Sequence, residues 1–269
     1  MSKLSSQQLA LYETNGCLLL RGFLSPEETR DIRRWVSDME TWCPPSVEEQ
    51  LDGHHYTFHY ETLRHEYDGS SRQALCRVEN FAGWHGGLEC LAKERLIPLV
   101  SELLGEEGVL FKEKLNIKPP GGKGYAAHYD GPSAAAIGLA KTFITVQVAV
   151  DEQTVNNGCM QVVQPRSKWP SDREMLAPTS DDPDRGGRVG AIPELLAENL
   201  DWEPVECSPG DVLVFHHWMP HRSAFNRSTS SRRTLYLLFN PAREGDFHDA
   251  YYKMFAELRK AAAFRREAI

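Results

Sequence analysis

Gly124-Tyr-Ala-Ala-His128-Tyr129-Asp130-Gly131 sets a histidine and an aspartate two positions apart on a stretch that reads as a β-strand leaving a turn. In a strand, residues i and i+2 point to the same face. His128 and Asp130 therefore offer an imidazole nitrogen and a carboxylate oxygen to one point in space. Two such donors are two-thirds of the 2-His-1-carboxylate facial triad, which holds a non-haem Fe(II) and leaves coordination positions open. A His-x-Asp also arises by chance, so its meaning depends on the rest of the chain.

Upstream, alternation from Val109 to Lys118 puts Leu110, Lys112, Lys114, Asn116 and Lys118 on one face, and Val109, Phe111, Glu113, Leu115 and Ile117 on the other. The lysine row is either a solvated outer face or part of a polar barrel lumen. Pro119-Pro-Gly-Gly-Lys-Gly124 makes the turn into His128. Downstream, Lys141 to Asp151 is a long strand with Thr142, Ile144, Val146, Val148 and Val150 on the buried face. Its Phe143, Thr145, Gln147 and Ala149 face the inferred lumen. Asn156-Asn-Gly158 is a hairpin-type turn into Cys159–Val163. Residues 165–200, rich in Pro, Asp, Arg and Gly, read as a lid-like insertion. Pro209-Gly210-Asp211 turns into Val212–Phe215, Pro220 holds Met219 extended, and Arg232–Phe239 is a closing strand.

The N-terminal part reads as helix, strand and helix over residues 4–37, with Ser25, Pro26 and two acids opening the second helix. His54-His55-Tyr56-Thr57-Phe58-His59-Tyr60 reads as an aromatic-rich strand, since no cysteine or acid stands at a ligand spacing from its histidines. Leu91–Leu104 is an amphipathic helix ended by Gly105, and the basic segment 247–269 is helical and expected on the outside. The fold class is mainly β with flanking helices. Residues 1–269 read as one domain: a mostly helical part over 1–105, a β core over 106–242 and a C-terminal helix over 243–269.

The 269 residues, 41% hydrophobic and 25% charged, suit an ordinary globular protein. A formal charge of −8 without a basic block argues against a nucleic-acid surface, although a pocket can still carry the opposite sign. No apolar run suggests a signal peptide or a membrane partner. Cys17, Cys43, Cys76, Cys90, Cys159 and Cys207 are scattered without a C-x-x-C, as reduced thiols of a cytoplasmic protein would be.

A third donor is needed, and His216, His217 and His221 lie in the right region. Spacing does not choose among them. The chain resembles the phytanoyl-CoA dioxygenase family of Fe(II)/2-oxoglutarate oxygenases. The likeness runs from Asn15-Gly-Cys-Leu-Leu-Leu-Arg-Gly-Phe-Leu24, through Lys118-Pro-Pro-Gly and His128-Tyr-Asp130, to Pro209-Gly-Asp211 and His221-Arg-Ser-Ala-Phe-Asn226. It implies a double-stranded β-helix (jelly roll, cupin-like) with Fe(II), 2-oxoglutarate and O2. In that family the distal ligand begins an H-x-S-x-x-N sequence, followed by an arginine for the far carboxylate of 2-oxoglutarate. The resemblance thus assigns His221 to the metal with His128 and Asp130, and Arg232 to the co-substrate. It adds Ser223, Asn116, Lys114 and Tyr125 as further co-substrate contacts, and Thr145 joins them because it stands on the inferred lumen face. Arginine suits that carboxylate because its planar fork binds it bidentately, while Arg233 should point the opposite way.

Where many family members have Pro-Gly-Ser-His after the Asn-Gly turn, this chain has Gln164-Pro-Arg-Ser167-Lys, which puts the substrate-side wall in doubt. Leu75–Phe81, Lys112–Asn116, Pro220–Ser223 and Phe239–Asp246 look more like the branch acting on 2-aminoethylphosphonate-type compounds. Lys112 or Lys114, with Tyr56, Tyr60 and Trp84, could hold a small anion or zwitterion. A natural-product scaffold is equally compatible. The competing class is a cupin-like metal-dependent hydrolase or isomerase, or a ligand-binding protein. The two are separated by whether 2-oxoglutarate binds the metal.

Overall fold

The computed structural model describes residues 3–41, 57–64, 70–83, 85–131, 139–171 and 190–267. Within them, strands β1–β11 in chain order form two antiparallel sheets. The larger runs β1 (Cys17–Leu20), β9 (Val212–His216), β6 (Ile144–Ala149), β11 (Arg232–Pro241), β4 (Gly108–Lys118), β3 (Ser71–Glu79) and β2 (Thr57–Arg64). The smaller runs β5 (Tyr125–His128), β10 (His221–Ser223), β7 (Met160–Val162) and β8 (Glu203–Val205). Met160 and Val162 of the smaller sheet meet Phe215, Tyr236 and Leu238 of the larger in one apolar cluster. The two sheets thus enclose a common interior, the double-stranded β-helix.

The other face of the larger sheet is covered by helices. Val146, Val148, Val214, Leu235 and Leu237 pack with Ile32, Val36 and Met39 of α2 (Pro26–Thr41) and with Leu88, Leu96 and Leu99. Those last three lie on a continuous helical run: α3 (Gly86–Cys90), a π-helical stretch (Leu91–Leu96) and α4 (Ile97–Leu104). Both faces of the central strands are therefore dry, which is why Ile144–Ala149 is buried at every position. Fully burying each aliphatic side chain contributes about 1.5–3 kcal/mol.

Capping boxes start the first two helices: Ser5 with Gln8 opens α1 (Ser6–Asn15), and Ser25 with Glu28 opens α2. The third helical run begins at Gly86, earlier than the expected Leu91, because His85 Nδ1 accepts the Leu88 N–H as an N-cap. Two glycines in that first turn hide it from propensity.

A β-bulge corrects the alternation in β4. Leu238 pairs with Lys112 and Phe239 with Leu110, so Phe111 is an extra residue. Lys112, Lys114, Asn116 and Lys118 share the interior face, but Leu110 turns toward the helices and Phe111 turns inward against Phe143 and Tyr251.

The first turns of the C-terminal helix α6 (His248–Glu267) also depart from the expected outer position. Tyr251 and Tyr252 are buried. The Tyr252 hydroxyl accepts from the Glu113 N–H and donates to the Glu113 carbonyl, closing the edge of β4 just past the Glu79–Lys114 pair where β3 ends. His248 Nε2 lies 2.8 Å from the buried Glu113 carboxylate. Burial would lower the pKa of this imidazole, but the carboxylate wins and raises it above the usual histidine range.

A short helix α5 (Glu194–Glu198) follows the returning limb of the 165–200 excursion. That limb pairs with the strand end carrying His128, through Ile192 N–H to Ala127 O and Tyr129 N–H to Gly190 O. Residues 172–189 of the expected lid, and Cys43, His54, His55, Tyr56 and Trp84, lie outside the described residues. Among the described residues no helix is long and apolar enough to cross a membrane.

Candidate active site

Strand register builds the donor set. β5 and β10 are antiparallel neighbours with His128 directly opposite His221, and their ring centroids lie 4.1 Å apart. His221 is therefore on the adjacent strand, not across the barrel from the His-x-Asp. Asp130 follows the end of β5, with Tyr129 between the two donors buried on the outer side against Ala127 and Ile192. Ligand atoms of His128, Asp130 and His221 all lie within 4.8 Å of one another. Asp130 Oδ1 is 3.9 Å from each histidine Nε2.

The surrounding hydrogen bonds suit a metal. His128 Nδ1 lies 2.7 Å from the Ala126 carbonyl, and His221 Nδ1 3.0 Å from the Met219 carbonyl. A carbonyl accepts only, so each Nδ1 carries the proton and each Nε2 presents a lone pair to the common point. Thr145 donates to Asp130 Oδ2 at 3.2 Å, leaving Oδ1 toward the histidines. Thr145 thus meets the carboxylate ligand, whereas the expectation made it a co-substrate contact. Two neutral imidazoles and one carboxylate fit Fe(II) with open positions.

His217, four residues before His221, is turned away. It is buried with its ring on Phe143 and its Nδ1 3.0 Å from the Phe143 carbonyl. Burial pushes its pKa down to about 4. His216 stacks on His217 and lies at the end of β9.

Next to the donors lies a narrow pocket lined by Arg77, Lys114, Asn116, Tyr125, Ser223 and Tyr236, among others. Arg77, Asn116 and Tyr125 also line an adjoining cavity of about 280 Å³ that reaches Lys118 and Arg232. Arg232 is 2% exposed; its Nε has no partner, and its Nη1 makes only a 3.4 Å bond to Gln153. A buried guanidinium so poorly served is costly unless an anion completes it. Ser223 Oγ accepts from Lys118 Nζ at 2.8 Å and the Tyr125 N–H at 3.3 Å, so its own proton is available to an acceptor. Asn116 Oδ1 is buried without a partner. These residues fit a dicarboxylate running from the metal to Arg232.

Two close approaches are set by glycine. A Cβ on Gly124 would sit 2.4 Å from the Ser223 carbonyl, and one on Gly158 2.3 Å from the Ala224 carbonyl. Gly158 also has a φ of +71°. Asn226 Nδ2 bonds the Lys118 and Ser230 carbonyls, tying β4 to the β10–β11 connection. Arg233 points away, as expected, and pairs with Asp151 at 2.7 Å.

Arg77, Arg222, Met160, Phe215 and Tyr236 line these cavities without a site role in the sequence reading, whereas Lys118 comes from the lysine row of β4. Tyr236 was findable, because it is i+4 from Arg232 on the same strand face. Arg77 enters through its pairing with Asn116, which local pattern does not reveal. Tyr60 leaves the expected substrate wall: it packs against the helix-side core, past a β2–β3 register shift. Lys112 rests over the Tyr251 ring and Lys114 over Tyr236.

A double-stranded β-helix with a His-Asp-His donor set and a cationic chamber beside it is the architecture of a non-haem iron oxygenase using a 2-oxo acid. The model of the phytanoyl-CoA dioxygenase (PhyH) family matches residues 12–234. The chain is 35% identical over 254 residues to 2-aminoethylphosphonate dioxygenase of an uncultured bacterium, covering 94% of this chain and 88% of that one. It is also 35% identical over 250 residues to methylphosphonate hydroxylase of Gimesia maris, covering 93% and 85%. Among solved structures, EctD from S. alaskensis with 2-oxoglutarate and 5-hydroxyectoine superposes with a TM-score of 0.66 at 20% identity, over 90% of this chain and 77% of that one. The chain belongs to the phytanoyl-CoA dioxygenase family. It is an Fe(II)- and 2-oxoglutarate-dependent oxygenase of small molecules.

Proposed function

We propose that the enzyme hydroxylates a C–H bond of a small phosphonate or a similar compact oxyanion. The observation that carries this is the wall of the metal-side pocket on the larger sheet, where Lys114 and Arg77, the latter ion-paired with Glu79 at 3.2 Å, stand beside the metal donors in a chain of net charge −8. The 35% identity to two phosphonate-oxidising enzymes supports the same class.

In this reading His128, Asp130 and His221 hold the iron, with tautomers set by the Ala126 and Met219 carbonyls. Iron held there would let O2 act as the oxidant: one oxygen atom would enter the C–H bond as a hydroxyl, and the other would go to 2-oxoglutarate as it is oxidised to succinate and CO2. Arg232 and Ser223 take the far carboxylate, and Asn116 and Tyr125 flank the route to it. A buried chain keeps Arg232 in place: Tyr236 donates to Gln147, Gln147 to Gln153, and Gln153 to Thr234, with Gln153 Oε1 also facing Arg232. Arg222 alternates with His221 and Ser223, and its guanidinium is held on the outer face of the smaller sheet by Gln161 at 2.7 Å and the Trp202 ring. Lys114 supplies a point charge from the opposite sheet. Low dielectric strengthens each of these contacts. The protein is assigned to the cytoplasm, in keeping with a diffusible substrate and co-substrate.

Succinate formation is measured anaerobically and in air with 2-aminoethylphosphonate, methylphosphonate and carboxylate analogues. Phosphonates should stimulate turnover above the uncoupled background, and Asp130→Ala should abolish it. A panel in which no phosphonate stimulates turnover overturns the substrate class. Undiminished turnover by Asp130→Ala overturns the metal assignment.

A further inference from the structure

Lys118 is 3% exposed and stands directly opposite Arg232 in the β4–β11 ladder. Residues directly opposite share a face, and like charges in that relation repel. Two buried basic side chains have thus been placed side by side at the far end of the co-substrate cavity, which both of them line.

Lys118 Nζ has three acceptors within reach, so added protonation would find a partner for every N–H. It donates to Ser223 Oγ at 2.8 Å, Ala224 O at 2.6 Å and Gly158 O at 3.3 Å. A charged lysine has three N–H donors for these three acceptors, whereas the neutral amine has two. The charged groups around it come from several elements: Arg232 on β11, Glu61 on β2, Arg77 on β3, Cys159 ahead of β7, and Lys123 and Tyr125 around the start of β5. Cations outnumber the one carboxylate, Glu61. Burial first, and Arg232 second, lower the pKa of Lys118 to about 7. An anion on Arg232 would cancel that repulsion and favour the protonated form.

We propose that Lys118 is a positioning residue for the far carboxylate of 2-oxoglutarate, holding the Ser223 hydroxyl in donor orientation beside Arg232 and taking up a proton as the co-substrate binds. Lys118 bonds to Ser223 Oγ as a donor, so the serine proton is directed away from it, to the carboxylate. Locally, the far carboxylate brings a negative charge beside Arg232 and Lys118, which offsets their mutual repulsion and lets Lys118 keep the proton taken from solvent. This inference rests on the 2-oxoglutarate reading above.

The test is calorimetric titration of 2-oxoglutarate into anaerobic, Mn(II)-loaded full-length protein, in pairs of buffers with different ionisation heats. Wild type should take up roughly one proton per 2-oxoglutarate at pH 8 and almost none at pH 6. Lys118→Arg should lose the uptake while keeping affinity at pH 8, and Lys118→Met should lose uptake and weaken binding most at pH 6. Should a variant not fold, 15N-lysine NMR of zinc-loaded wild type follows Nζ directly: it should titrate near neutrality alone and stay protonated with 2-oxoglutarate. Binding without proton uptake in wild type, or unchanged uptake in Lys118→Met, overturns the inference alone. No binding at any pH overturns the 2-oxoglutarate reading and this inference with it.

Discussion

Replacing Arg232 by methionine removes the charge and keeps much of the side-chain length. In the folded protein this guanidinium is 2% exposed, has an Nε with no partner and gives Gln153 only a long bond. Nearly all of its donor capacity is therefore available to a ligand. Two charge-assisted hydrogen bonds to a carboxylate contribute roughly 1.5–3 kcal/mol each. Ser223 retains its own bond to the carboxylate in the variant, so the net loss is set near the lower end, about 3 kcal/mol. That corresponds to roughly a hundredfold rise in the Kd for 2-oxoglutarate. The assay is anaerobic titration of the Fe(II) protein, read from the weak visible band that 2-oxoglutarate produces on binding. Arg232→Lys keeps the charge without the fork and should fall between the two. Folding stability should not suffer, because the substitution also removes a cation from beside Lys118. A Kd within threefold of wild type would refute the reasoning, since it would mean that the orphaned guanidinium serves something else.

Co(II) affinity should fall by at least tenfold in His221→Ala, whereas His217→Gln should bind Co(II) normally, because its ring is held on Phe143; equal losses in both would show that the triad is misassigned. Asp211→Ala should cost about 3 kcal/mol in urea unfolding, as the carboxylate accepts from the Gly22 and Ser208 N–H groups and from Arg21; a loss under about 1 kcal/mol would contradict it. Burial alone would raise the pKa of Asp211, but these hydrogen bonds outweigh it and hold the carboxyl below the usual range, so its stabilisation is present above about pH 4 and lost on acidification. His248 has the opposite sign: its pKa is raised against Glu113, so its contribution is full below the ordinary histidine range and is lost as pH rises through the higher folded value. Protection factors of the Tyr251 and Tyr252 amides, with the intrinsic base-catalysed exchange divided out, should fall over that rise in pH, and His248→Ala should remove the fall; wild-type protection factors independent of pH would refute the anchor.

Alternation is local, and what depends on it was legible in the sequence. His128 and Asp130 share a direction, Arg232 and Arg233 diverge, and β6 presents aliphatics on one side and Phe143, Thr145 and Gln147 on the other because a strand repeats every two residues. Serine caps, the Pro-Gly turns and the family motif around His221 are also short-range, and they specified the chain's class and the donor set. What alternation does not say is which face looks inward. Here both faces of the larger sheet are buried, one under helices and one under the smaller sheet, so the lysine row of β4 could be placed only once the sheets had met. A single extra residue, Phe111, then reversed the faces at one end of that strand. Three pairings were likewise beyond local pattern: His221 opposite His128, Arg77 opposite Asn116, and Lys118 opposite Arg232. Each joins residues far apart in the chain through sheet register, which is set by the packing of the whole core. The sequence by itself, through alternation and one short motif, named the candidate iron ligands; only the tertiary structure set a buried lysine beside the arginine and opened a chamber between them and that donor set.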